Sequence, residues 1–111
     1  MAETVIYVVG GVHFEWDLEK AKANLAKHKL SFREGASAFK DVDALVLDDP
    51  DKFEDEVRFA LLGYSAQRRL LIVIHVERGG RIRIVSVRNA TKPERRLYEE
   101  KRKGRGRRDE G

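Results

Sequence analysis

No cysteine occurs among the 111 residues, which excludes disulfides and thiolate metal sites and agrees with a reducing compartment. Histidine is scarce as well, and three scattered rings leave zinc chemistry without a ligand set. No apolar run approaches the ~20 residues that span a bilayer. Nor does the chain open with the charged, apolar and small-residue succession of a secretory signal. The expectation is a soluble cytoplasmic protein that makes no membrane contact. A glycine-rich phosphate loop, the dinucleotide fingerprint, an HExxH helix and a nucleophile elbow are all missing, so no cofactor and no metal are expected. The length suits one domain with a modest core and leaves no room for a second.

What the chain has in quantity is charge, and the charge is segregated. Of the formal net charge of +4, residues 101–111 supply all, with six basic and two acidic side chains. In the balanced remainder, Asp41 to Arg58 holds eight acidic and two basic residues, and Arg68 to Arg96 nine basic and two acidic. A neutral body with one basic sector suits a polyanion, and the acidic segment suits the far side or an edge for a basic partner. The ending KRKGRGRRDEG has no apolar face and is expected to be disordered, giving weak, salt-sensitive contact with nucleic acid or solubility alone. Residues 1–11 read as an extension or edge strand, 12–100 as the domain, and 101–111 as the basic tail.

The domain is organised around Leu70 to Arg88, two Ile- and Val-rich runs joined by Gly79-Gly80. That dipeptide readily takes the two positive φ values of a two-residue hairpin turn. Counting outward, Arg78 faces Arg81, Val76 faces Arg83, His75 faces Ile84 and Leu71 faces Arg88. Strict alternation then puts Leu70, Ile72, Ile74, Val76, Arg78, Arg81, Arg83, Val85 and Val87 on one face, mostly apolar with arginines at the turn end and suited to a core. The other face receives Leu71, Val73, His75, Glu77, Ile82, Ile84, Ser86 and Arg88. A titratable ring, a hydroxyl and a fixed cation there share one side of a sheet. Strand interiors usually avoid clustered like charge, so the hairpin arginines point to function.

Elsewhere the signals are local. Thr4 to Val9 is an apolar β-type run whose partner the pattern does not decide. Val12, Phe14 and Trp16 alternate with His13 and Glu15 in a short strand; His13 is expected at the surface without a role. Trp16 belongs to the core by its spacing and, beside a basic surface, can also stack a base. Asp17 caps a helix over about 18–28 whose inward face is Leu18, Ala21, Leu25 and His28, with Lys20, Asn24 and Lys27 lying around it. Lys29 stands where a left-handed glycine is usual. Ser31 and Glu34 form a capping box for a helix over about 32–39. Ala44 to Leu47 and Glu56 to Tyr64 read as strands on either side of the acidic turn Asp48-Asp49-Pro50-Asp51. Thr91, Pro93 and Glu94 start a last helix over about 92–101, with Arg95 or Arg96 near the hairpin. The order gives an α+β fold, a small antiparallel sheet with two N-terminal helices and a C-terminal helix, all gathered on one sheet face.

A metal-free set suited to phosphate esters remains: arginines that neutralise added negative charge, with His75 and Glu77 as proton carriers. RNA supplies its own nucleophile in the 2′-OH, so a base, an acid and cations suffice to cleave it. The plainer alternatives are a half-buried His75 satisfied by a backbone group, and an Arg88 paired with Glu77 or with a helix carboxylate.

Phe14-Glu15-Trp16-Asp17, Lys20, Asn24, Lys27-His28, Ser31-Phe32, Ala36 and Phe39, followed by Glu56, Arg58, Gly63, Ser65, His75, Arg78-Gly79, Ile82-Arg83-Ile84, Ser86, Arg88 and Ala90-Thr91, together resemble the BrnT family of toxins over about residues 14–98. The resemblance implies a RelE-like fold and a ribonuclease that arrests translation. It also implies a small BrnA-like antitoxin as partner, through whose DNA-binding portion the complex meets operator DNA. Carried over, it gives phosphate binding and transition-state charge to Arg83 and Arg88, and proton transfer to His75 with Glu77. Ser86 would orient the phosphate or the ring, with Arg78, Arg81, Trp16 and Lys27 as further contacts to RNA. Lys29 and Arg68 depart from the family, which commonly has glycine at both positions. Arg83 is the awkward member, since alternation puts it on the face opposite Arg88. The rival expectation is a non-catalytic module that docks RNA or the antitoxin with the same arginines.

Overall fold

The computed structural model of the chain describes residues 3–49 and 56–109. Strands β1 (Thr4–Val9) and β2 (Val12–Asp17) form an antiparallel hairpin. Gly10 and Gly11 between them take φ values of 57° and 78°, a conformation that costs glycine nothing. Thr4–Val9 is thus an edge strand, held because Val5, Tyr7 and Val9 pack on the core. Helix α1 (Leu18–His28) and helix α2 (Phe32–Ser37) follow, with a 3-10 turn at Ala38–Lys40. Strands β3 (Leu45–Asp48), β4 (Phe59–Tyr64), β5 (Leu70–Arg78) and β6 (Arg81–Asn89) lead to helix α3 (Lys92–Asp109).

The six strands make one sheet in the order β1-β2-β6-β5-β4-β3. The expected antiparallel sheet is therefore corrected to a mixed one: β2 runs parallel to β6, pairing Phe14 with Ile82 and Glu15 with Arg83. The α1 and α2 helices come after the β1–β2 hairpin and not at the N-terminus.

Nor do the helices share a face. Leu30, Phe32, Ala36 and Ala38 cover Phe14, Trp16, Leu61, Leu71, Val73, Ile84 and Val87 on one side. Tyr98 of α3 covers Ala60, Leu62, Leu70, Ile72 and Ile74 on the other. The cause is β5, buried continuously from Leu70 to Val76; a strand apolar on both sides needs cover on both.

Local chemistry explains the helix ends. Asp17 accepts from the N–H groups of Glu19 and Lys20 at the start of α1. Lys29 ends the helix in the left-handed conformation, φ 60°, its N–H donating to the Leu25 carbonyl. The inward face of α1 differs from expectation: Leu25 is 51 % exposed while Asn24 is buried. The Asn24 amide donates to the carbonyls of Leu30 and Val87 and accepts from the Val87 N–H. It serves Val87 as a neighbouring strand would, where β2 has already diverged from β6. At α2, Ser31 caps the Glu34 N–H, but the Glu34 carboxylate turns away to Ser65 and Arg69. The α3 helix runs past residue 101 to Asp109, so the tail expected to be disordered is helical there. No proline interrupts that stretch, so the backbone hydrogen bonds of the helix continue through it. Within the acidic turn expected at Asp48 to Asp51, Pro50 and Asp51 lie outside the described residues, as do Glu110 and Gly111 of the tail.

Candidate functional site

The β5–β6 turn has the expected geometry, with Gly79 and Gly80 at φ 52° and 80° and Arg78 opposite Arg81, Val76 opposite Arg83 and His75 opposite Ile84. One pair further the register slips. Ser86 lies opposite Ile74, Val87 opposite Val73 and Arg88 opposite Ile72, leaving Val85 as the extra residue of a β-bulge. The bulge reverses the alternation. Ser86 and Arg88 move to the face of Ile72, Ile74 and Val76, which is also the face of Arg81 and Arg83. The arginines of β6 therefore stand on one side of the sheet, and the difficulty with Arg83 disappears.

Each guanidinium on this face meets a carboxylate. Glu15 of β2 alternates away from Phe14 and Trp16 and accepts from Arg83 Nη1 at 2.6 Å and Arg81 Nη1 at 3.4 Å. Glu94, in the first turn of α3, takes both terminal nitrogens of Arg88, at 2.8 and 3.0 Å. It also completes the capping box, accepting from the Thr91 N–H at 2.8 Å. Glu56 holds Arg78 at 2.5 Å and Arg58 at 3.4 Å. Of the two alternatives weighed for Arg88, the structure has the helix carboxylate. The Arg88 fork holds the Glu94 carboxyl down at a pKa of about 2. Around Glu15 burial works to raise the pKa, but the hydrogen bonds and charges of Arg83 and Arg81 outweigh it, and the net shift is downward. A phosphate presents the same two-oxygen edge as a carboxylate, so an anion can exchange into these forks without rebuilding them.

The proposed proton carriers are elsewhere. His75 is 4 % exposed on the opposite face, edge-on to Phe39 at 4.9 Å and beside Phe59 at 5.9 Å. Its Nδ1 is 3.0 Å from the Val73 carbonyl, an atom that only accepts, so the ring donates there. Burial pushes its pKa down, with Val73 and Glu77 opposing. A ring sealed, neutral and hydrogen-bonded to backbone is a core residue. Ser86 and Arg88 do not sit beside it, because the bulge turned them away. Glu77 stays on the His75 side, exposed near the turn. Trp16 is 4 % exposed, wedged edge-on against Phe32 at 5.9 Å and beside Tyr7 at 5.8 Å, with no surface left for a base. Lys27 is exposed on α1, across the sheet from the arginines. Arg95 reaches the Tyr64 hydroxyl on β4, not the hairpin.

Sequence reasoning missed Glu15 as the partner of Arg81 and Arg83, and offered a helix carboxylate for Arg88 without naming Glu94. Alternation in Phe14-Glu15-Trp16 gave the face of Glu15, but only the parallel β2–β6 contact makes Arg83 its neighbour. Among the described residues no cluster of three or more His, Asp or Glu side chains can hold a metal ion, and no helix is long and apolar enough to cross a membrane.

The family model for the ribonuclease toxin BrnT of type II toxin–antitoxin systems matches residues 16–94. The 1.1 Å crystal structure of the Brucella abortus ribonuclease toxin BrnT superposes with a TM-score of 0.53 at 26% identity, over 69% of this chain and 94% of that one. No curated protein sequence matches. Residues 1–15 and 95–111 lie outside the family match.

Proposed function

Since the chain belongs to the BrnT family of ribonuclease toxins of type II toxin–antitoxin systems, we propose that it is a metal-independent, RelE-like endoribonuclease. It acts in the cytoplasm, arrests translation, and is silenced by a BrnA-like antitoxin, through which alone it meets operator DNA. The observation that carries the proposal is the bulge at Val85, which gathers Arg81, Arg83, Ser86 and Arg88 on one sheet face.

RNA brings its own nucleophile, so the protein has to accept a proton and offset charge at phosphorus. Arg83 and Arg88 bind the phosphodiester and the charge that builds on its oxygens, and Ser86 between them orients it. With His75 sealed on the other side, the proton acceptor on this face is Glu15. As the 2′-oxygen bonds to phosphorus, its proton passes to the Glu15 carboxylate; the bond to the 5′-oxygen breaks, and that oxygen takes a proton from water. The two arginines keep Glu15 ionised in the free protein. Substrate that draws Arg83 onto phosphate leaves the carboxylate more basic when a base is required.

The test is cleavage of naked RNA in EDTA by the purified chain. Arg83→Ala and Arg88→Ala lose about 10²-fold or more, and Glu15→Gln loses about 10²–10⁴-fold, with circular dichroism unchanged. Full cleavage by Arg83→Ala, or an inactive wild type, overturns the proposal. The second reading is a module that binds RNA without cutting it, favoured by the enclosure of His75. It predicts RNA retention by wild type with intact RNA recovered, and loss of retention in the same arginine variants.

A further inference from the structure

The parallel pairing of β2 and β6 sets two glycine turns side by side, Gly10-Gly11 and Gly79-Gly80. The ladder engages Phe14 with Ile82 and Glu15 with Arg83. Ahead of it the strands part, and a cleft of about 450 Å³ opens, lined by Gly11, Val12, His13, Glu77, Gly79, Gly80, Arg81 and Ile82. That volume falls in the range of ~300–1,000 Å³ typical of small-molecule sites. Around Gly11, Gly79 and Gly80 the space a Cβ would occupy is open, so a flat group can approach the backbone. Val12 and Ile82 give apolar walls. His13 supplies an aromatic face, Arg81 a guanidinium and Glu77 a carboxylate, all three exposed.

We propose that this cleft between the two glycine turns is a nucleobase subsite that selects guanine in the RNA substrate, with Glu77 and Arg81 reading its edges and His13 stacking on its face. The chemistry singles out one base. Guanine alone carries adjacent ring and exocyclic N–H donors on its Watson–Crick edge, which a carboxylate accepts as a pair. Its O6 and N7 take a guanidinium fork. A bare phosphate would be repelled by Glu77. Unpaired RNA bases are characteristically held by such stacking and edge contacts. Arg81 also contacts Glu15 at 3.4 Å and lies two residues from Arg83, about 6.6 Å along the strand. A base in the cleft therefore sets its own phosphate on Arg83. The inference rests on the proposed ribonuclease reading and deepens it. Gly11, Val12 and His13 precede residue 16, where the family match begins, so one wall of the cleft belongs to the part of this chain outside the family pattern. Selection, not the cleavage step, is what the cleft supplies.

Two measurements on the full chain test it. In calorimetric titration with GMP, AMP, CMP and UMP, GMP binds about tenfold or more tighter than the others. Glu77→Gln abolishes that preference, His13→Ala weakens binding of all four nucleotides while leaving the preference, and Arg83→Ala keeps it. In RNA cleavage, the wild-type cuts map beside guanosines, and in Glu77→Gln they redistribute over all four bases. GMP binding no tighter than AMP, or a preference untouched by Glu77→Gln, overturns the subsite. So does a Glu77→Gln protein whose cuts fall in number while staying beside guanosine, since Glu77 would then serve the cleavage step. If wild type cuts no RNA, the ribonuclease reading fails, and the GMP titration still decides the cleft by itself.

Discussion

Burial of His75 has a consequence for stability that is independent of catalysis. Its pKa in the folded chain lies below the ~6.5 of a free imidazole, so as pH falls the unfolded chain takes up a proton that the native chain refuses. The stabilising contribution is complete above about pH 6.5 and declines as pH drops toward the native value. Denaturant midpoints measured between about pH 7 and pH 5 should fall in wild type and run flatter in His75→Phe; equal slopes would mean that the ring titrates in solvent. At the same scale, Asn24 shows what one residue reveals and hides. Its place in a helix was plain from the spacing of its neighbours. That its amide would satisfy the backbone of Val87, 63 residues away, was not, because a polar residue in a helix reads as outward-facing until the element beside it is known.

At the scale of elements, the bulge and the start of α3 act together. The Thr91–Glu94 capping box was legible, since its donors and acceptors lie within four residues. Its second task, holding Arg88, depends on how α3 leaves the sheet. Glu94 has a folded pKa of about 2, well below the ordinary carboxylate range. The stability it brings is therefore present above about pH 4.5 and is lost as pH falls through about 2. The pair is partly open to solvent, with side chains 33% and 23% exposed, and screening reduces its worth to about 2 kcal/mol. Glu94→Gln should cost that amount at neutral pH in urea denaturation and only a small fraction of it near pH 2, where the wild-type carboxyl is itself about half protonated. An equal cost at both pH values would assign the effect to the cap's hydrogen bonds alone.

Taken whole, the molecule is a sheet covered on both faces, with β1 as the outermost strand on one side. Residues 1–11 lie outside the family match, yet β1 is more than an appendage. Tyr7 packs 5.8 Å from Trp16 and lies under the Arg33 guanidinium at 5.1 Å, and Val5 and Val9 join the same core. Removing residues 1–11 should cost about 3 kcal/mol and shift the emission of the one tryptophan to the red, because β2 becomes an edge and Trp16 meets water. An unshifted spectrum would show that the core closes without β1. By itself, the sequence determined what neighbours in the chain control: the span of α1, the start of α2, the side-chain caps at Asp17, Ser31 and Thr91, the Gly79-Gly80 turn and the hairpin pairing as far as Ile84. Tertiary structure alone decided the faces beyond that point. Val87 is drawn inward against Gly35, so closely that a Cβ there would meet Val87 Cγ2 at 2.6 Å, and Asn24 fixes its backbone. With Val87 committed to the core, the strand accommodates Val85 as an extra residue, and Ser86 and Arg88 turn to the arginine face. A period of two cannot reveal this from within one strand, because the force that breaks it comes from the helices packed above.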